Sequence, residues 1–187
     1  MSGRLVIIGG SAGSLEVMLQ VLSTIEPGLP HPVVLVLHRK ASEDQMLESL
    51  FSAKCLLRVI PVEDKTPLSP GNIYIAPSDY HLLFESDGTL SLDTSAKVNF
   101  SRPSIDVSFE SAADAWRGNL TAILLSGANS DGSAGLEAIK SLGGTVIIQD
   151  PETANMPIMP QSAITRVDPD LVAGIKQLAE IIRKGTL

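Results

Sequence analysis

The sequence predicts an α/β fold: a doubly wound, Rossmann-like, mostly parallel sheet flanked by helices, with a small antiparallel hairpin insertion. Three features point there. Short, wholly apolar, β-branched runs recur along the chain, amphipathic segments of helical spacing separate them, and one central stretch switches to short runs parted by turn-forming residues. A chain of 187 residues with 44% hydrophobic and 19% charged side chains is expected to build one core, a single domain over residues 1–187.

Residues 5–8 (LVII) read as a buried strand, and Leu15, Met18, Leu19, Leu22 and Ile25 follow at helical spacing until Pro27 and Gly28 end the pattern. The unit then repeats. Residues 33–37 are a second strand, with a polar helix start at Ser42 and apolar positions Met46, Leu47, Leu50 and Phe51; residues 58–62 are a third short strand. Between Ser69 and Leu92, the runs 72–76, 81–85 and 89–92 are divided by Pro77-Ser78-Asp79 and Ser86-Asp87-Gly88, which suggests the antiparallel insertion.

Pro103-Ser104 opens a helix with Ile105, Phe109, Ala112 and Trp116 on one face. Residues 122–125 are a strand, 132–142 a helix closed by Gly143-Gly144, and 145–148 another strand. The last helix is expected from Asp168-Pro169, a cap followed by proline at the first helical position, through Leu171, Ile175, Leu178 and Ile182 to Gly185. Wholly apolar strands alternating with helices imply a parallel sheet covered on both faces, whose functional crevice lies beyond the carboxyl ends of its strands.

Composition excludes several classes. A net charge of -7 with only 4% aromatic residues opposes nucleic-acid binding, which needs clustered cations or stacking platforms. The single cysteine, Cys55, cannot form an internal disulfide and reads as a core thiol. No run approaches the roughly 20 apolar residues of a membrane span, so the expectation is a cytoplasmic protein that is not membrane-embedded. The histidines and the lone cysteine show no metal-ligand spacing, and no metal is expected.

Three strand-end loops carry reactive groups. Gly9-Gly10-Ser11-Ala12-Gly13 follows the first strand and satisfies G-x-S-x-G between strand and helix, a turn that exposes a serine hydroxyl and aims the following amides at an oxyanion. A plain glycine-rich first turn of a doubly wound fold is the competing reading. Nucleotide-binding versions fit worse, because Ser11 and Ser14 stand where G-x-G-x-x-G needs glycine. His38 follows the second strand, and Asp131 lies in Ser126-Gly127-Ala128-Asn129-Ser130-Asp131-Gly132 after the strand at 122–125. Singly, His38 could end a strand at the surface and Asp131 could cap a helix. Together at one sheet edge, Ser11, His38 and Asp131 have the composition of a nucleophilic triad.

His31 precedes its strand, at the wrong edge, and His81 lies in the hairpin region, so His38 is the better-placed base. Arg102, ahead of a helix, is either a solvated charge or a contact for a substrate carboxylate. Met156 and Met159 read as packing around Pro157 and Pro160.

Together GGSAGS, the histidine of VLVLHRK, GNIYIAPSDYHLL, SRPSIDVSFESAA, LLSGANSDGSAGLEAIKSLGGTVIIQDPETA and MPQSAI resemble the catalytic domain of the bacterial chemotaxis protein-glutamate methylesterases, the CheB type. The resemblance runs in order from Leu5 to Ile164. It implies a doubly wound domain with an antiparallel hairpin, no cofactor, and a triad that falls position by position on Ser11, His38 and Asp131. It also implies an enzyme that hydrolyses glutamate methyl esters on methyl-accepting chemotaxis receptors, some members also deamidating receptor glutamine. On that basis the amides of Ala12 and Ala128 are the expected oxyanion donors, with Gly13 a further one.

This sequence departs from the family at Ala128, commonly methionine there, and at Ser78-Asp79-Tyr80, where family members carry arginine or glycine. The best-known members also have an N-terminal receiver domain, whereas this sequence is expected to be a methylesterase domain alone, regulated if at all by a separate protein. A catalytically weak signalling adaptor of the same fold is the alternative.

Overall fold

The computed structural model describes residues 3–39 and 46–187, so the expected helix start at Ser42 lies outside the described residues. Seven parallel strands form the main sheet: β1 (Leu5–Gly10), β2 (Val33–Leu37), β3 (Arg58–Pro61), β5 (Asn72–Ile75), β8 (Leu120–Leu124), β9 (Thr145–Gln149) and β10 (Leu171–Ala173). Their order is β10-β9-β8-β1-β2-β5-β3. A small antiparallel sheet of order β4-β7-β6 comprises β4 (Thr66–Pro67), β6 (His81–Phe84) and β7 (Thr89–Asp93).

Strand alternation sends side chains into two cores. Leu5 and Ile7 of β1, with Val34 and Val36 of β2, pack under α3 (Ile105–Trp116), α4 (Ser133–Ser141) and α5 (Ile158–Arg166). Val6 and Ile8, with Val33, Leu35 and Leu37, pack under α1 (Ser14–Leu22), α2 (Met46–Lys54) and α6 (Ile175–Lys184). Apolar side chains on both faces of one strand are what a sheet covered on both sides requires. Because β1 has β2 on one side and β8 on the other, the chain reverses its winding direction there, and a crevice opens beyond those three strand ends.

Three expectations are corrected. Residues 72–76 are not part of the insertion: β5 pairs in parallel with β2 and β3 inside the main sheet, its residues buried in both cores. No helix begins at Asp168-Pro169. Asp170 instead pins that turn to β9, accepting from the Val146 amide at 2.8 Å and donating to the Val146 carbonyl at 2.8 Å, and β10 and then α6 follow. Residues 158–166, where the sequence suggests only Met156 and Met159 packing around Pro157 and Pro160 and no helix, form α5. Pro160 falls in its first turn, where no amide is needed, and Met159 is fully buried in the core. Cys55, just after α2, is half-buried and packs against the core, and burial raises its thiol pKa.

Candidate active site

The tip of β1 sets the site. Gly13 adopts φ 81°, and a Cβ there would lie 2.7 Å from Asn155 Cβ and 2.9 Å from Ser126 Oγ, so only glycine fits the turn that follows Ser11. The turn is tied down on both sides. Ser11 N–H donates to the Ser126 carbonyl beyond β8 at 2.9 Å, and His38 N–H donates to the Gly10 carbonyl at 3.1 Å. Since Gly10 pairs with Leu37, Ser11 and His38 stand side by side at neighbouring strand ends.

Asp131 completes the cluster from the loop ahead of α4. Its Oδ2 lies 2.6 Å from His38 Nε2 and accepts the Ile105 amide at 2.7 Å. Its Oδ1 accepts from Asn99 Nδ2 (2.8 Å), Ser104 Oγ (2.9 Å), and the Asp106 (3.1 Å) and Gly132 (3.2 Å) amides. Burial alone would raise the pKa of this fully buried carboxyl, but the hydrogen bonds from His38, Asn99 and the α3 amides outweigh it and hold the group well below the usual carboxylate range. Two of those donors are the first amides of α3, where a helix favours an anion. A carboxylate can only accept, so His38 carries its proton on Nε2 and leaves Nδ1 as the basic nitrogen.

Sequence reasoning named Ser11, His38 and Asp131 but missed Asn99, Ser104 and Asp106, which surround Asp131. It also missed Ser126, whose hydroxyl donates to the Ala12 carbonyl (2.8 Å) and accepts the Met156 amide (2.9 Å). Gly127 N–H donates to the Met156 carbonyl and Met159 N–H to the Gly127 carbonyl, each at 3.0 Å, which locks the loop carrying Ala128 against the start of α5. Among the described residues the Ala12 and Ala128 amides have no hydrogen-bond partner, while that of Ser11 is already used.

The other two histidines serve the fold. His81 is fully buried; Nδ1 accepts the Ser104 amide at 3.1 Å and Nε2 donates to the Ala96 carbonyl at 3.0 Å. His31 lies at the opposite edge, Nε2 donating to the Ile182 carbonyl at 2.8 Å, and burial lowers its pKa. Among the described residues no three His, Cys, Asp or Glu side chains are grouped to hold a metal.

Beside His38 a groove of about 400 Å³ is walled by Arg39, Asp79, Lys97, Phe100 and Arg102. Arg102 is neither solvated nor free: Nη2 and Nε donate to Asp79 Oδ1 (2.7 and 3.2 Å) and Nη1 to the Thr94 and Ser95 carbonyls (2.7 and 2.8 Å). Arg39 donates to Glu48 at 2.9 Å. Phe100 is 99% exposed at the tip of a turn closed by mutual backbone hydrogen bonds between Val98 and Ser101. Asn99 and Phe100 both adopt positive φ there, 51° and 61°. A larger concavity of about 650 Å³, near Pro27 and Arg183, holds none of these groups.

The family model described as CheB methylesterase matches residues 6–182. The chain belongs to the CheB methylesterase family. A Leptospira interrogans member is 39% identical over 181 residues, covering 97% of this chain and 94% of that protein. A Thermotoga maritima protein-glutamate methylesterase/protein-glutamine glutaminase is 33% identical over 183 residues, covering 96% of this chain but 53% of its own length. The crystal structure of the Thermotoga maritima CheB methylesterase catalytic domain superposes with a TM-score of 0.93 at 32% identity, covering 98% of this chain and 99% of that one. The CheB fold thus accounts for the whole architecture, the small antiparallel sheet included. Among the described residues no helix is long and apolar enough to cross a membrane.

Proposed function

We propose that this CheB-family domain is a serine esterase that hydrolyses glutamate methyl esters on methyl-accepting chemotaxis receptors through Ser11, His38 and Asp131. The observation that carries the reading is the Asp131–His38 pair, 2.6 Å apart with the carboxylate fully buried, set beside a serine on a bare G-x-S-x-G turn. Ser11 Oγ attacks the ester carbonyl while His38 Nδ1 takes its proton, and Asp131 stabilises the resulting imidazolium. The Ala12 and Ala128 amides, unpartnered and adjacent to the turn, receive the oxyanion. The C–O bond then breaks, His38 returns its proton to the leaving methoxide, and methanol departs. Water, deprotonated by the same nitrogen, attacks the glutamyl-serine ester and releases the glutamate carboxylate and free Ser11. With a glutamine side chain the leaving group is ammonia, the deamidase variant of the same cycle. No step needs a metal or cofactor.

The groove beside His38 supports a protein substrate. Lys97, Arg39 and Arg102 bring positive charge to one wall, partly balanced by Asp79 and Glu48, and suit the acidic surface of a receptor segment rich in glutamate. Arg102 holds the 94–102 loop and lends the wall its charge. Alanine at position 128 preserves a backbone donor.

Labelling with a fluorophosphonate separates this reading from a catalytically weak adaptor. One adduct, on Ser11 and absent in Ser11→Ala and His38→Ala, is expected. Folded protein that takes up no label would favour the adaptor.

A further inference from the structure

A second carboxyl, Asp106, lies directly behind the catalytic one. It is the second residue of α3 and is 8% exposed. Its Oδ1 accepts the Gly135 amide of α4 at 2.8 Å, and its Oδ2 accepts Asn99 Nδ2 at 2.8 Å. That same Nδ2 donates to Asp131 Oδ1 at 2.8 Å, so one amide nitrogen bridges the two carboxyls. The capping is reciprocal, because Asp131 accepts the first two amides of α3 while Asp106 accepts an amide from the first turn of α4. Helix capping alone would explain a buried aspartate at either place. It does not explain why both are acids sharing one donor, since like charges at this separation oppose each other's ionisation.

We propose that Asp106 is a positioning residue of the esterase: bridged to Asp131 through Asn99, its carboxyl sets how strongly Asp131 holds the His38 imidazolium. This rests on the triad proposed above. When Asp106 is ionised, the anion behind Asp131 adds to the field that stabilises the imidazolium formed as Ser11 loses its proton. When Asp106 is protonated, that support is withdrawn and its hydroxyl competes with His38 for Asp131.

Among the described residues the titratable groups facing Asp106 are few. Asp131 faces it from the loop before α4, His38 stands behind Asp131 at the end of β2, and His81 of β6 is linked to α3 through the Ser104 amide. The residues of β1, β2 and β8 include no titratable side chain. On α4, Glu137 and Lys140 pair with Arg166 and Asp170 at the surface. On α3 itself, Glu110 is exposed. Burial, then the neighbouring Asp131, push the Asp106 carboxyl up to about 6, against the pull of the Gly135 and Asn99 hydrogen bonds.

The test is the pH profile of kcat/KM with a methyl ester substrate, for the wild type and Asp106→Asn. His38 must be unprotonated in both proteins, and in the wild type protonation of Asp106 removes about a further tenfold, so its acid limb is steeper than a slope of one through the Asp106 titration. The Asn variant should show a slope of one and a plateau lowered about tenfold, the effect of one pK unit on the base. A purely structural cap predicts a loss that is the same at every pH, and that result, or an unchanged profile, would overturn the proposal. Carboxyl carbon NMR on the wild type gives a reading independent of activity and of whether the variant folds. The Asp106 resonance should titrate near 6 and the His38 ring should sense it; titration of Asp106 below pH 4.5 would also overturn it. An inactive wild type with that NMR coupling intact would count against the esterase reading alone.

Discussion

Asp131 holds His38 by Nε2, at 2.6 Å, while accepting five further hydrogen bonds from Ile105, Asn99, Ser104, Asp106 and Gly132. One buried carboxylate thus fixes the histidine and also organises the start of α3. Asparagine at 131 can be turned so that its carbonyl faces either set of donors, but its NH2 must then oppose the other. Asp131→Asn should lower kcat by about 10⁴ and, unlike a change that touches only chemistry, cost roughly 2–4 kcal/mol of stability. Kinetics and urea denaturation on the same sample check both; full stability with lost activity would show that the α3 amides do not depend on the carboxylate.

The paired carboxyls make opposite contributions to stability as pH changes. Asp131, depressed in the folded state, stabilises above the unfolded pKa near 3.8, and that stabilisation is lost as pH falls through its folded value. Asp106 is raised from 3.8 to about 6, so the folded state binds the extra proton. Its contribution is complete below 3.8 and is lost as pH rises through 6, a fall on the order of 3 kcal/mol from a shift of about two pK units. Urea denaturation at pH 4.5 and pH 8 should show wild type losing stability relative to Asp106→Asn at the higher pH. Identical pH dependence in the two proteins would contradict the raised value.

Phe100 is the exposed aromatic at the rim of the groove, held out by a turn with two positive-φ residues, one of them Phe100 itself. A bulky residue in that conformation costs about 1–3 kcal/mol and persists where function uses it. Phe100→Ala should raise KM for a receptor substrate several-fold, as truncating an interface aromatic commonly does. It should leave turnover of a small phenyl ester unchanged. Equal effects on both substrates would place Phe100 in the chemistry instead of the docking surface.

Much of this site is legible in the sequence because Ser11, His38 and Asp131 each lie in a loop after an apolar run, and a parallel sheet brings such loops to one edge. Asn99, Ser104 and Asp106 escape because their side chains hydrogen-bond to the 131–135 segment, about 30 positions away, which no local periodicity records. The strand at 72–75 reads as part of the insertion because hairpin turns follow it, although Ile73, Tyr74 and Ile75 are apolar on both faces, the signature of a central strand. The three residues of β10 are too short for any pattern, and the proline of α5 hides a helix whose first turn tolerates it. In both cases tertiary pairing, to β9 and to the Gly127 loop, supplies what local propensity lacks.

The most direct measurement is methanol release from methylated chemoreceptor membranes, comparing this protein with Ser11→Ala. Release by the wild type, reduced about 10⁴-fold or more in a variant that melts at the same temperature, is the expected result. Release that persists in Ser11→Ala, or none from folded wild type across several receptor classes, would contradict the assignment of Ser11 as the nucleophile of a glutamyl methylesterase.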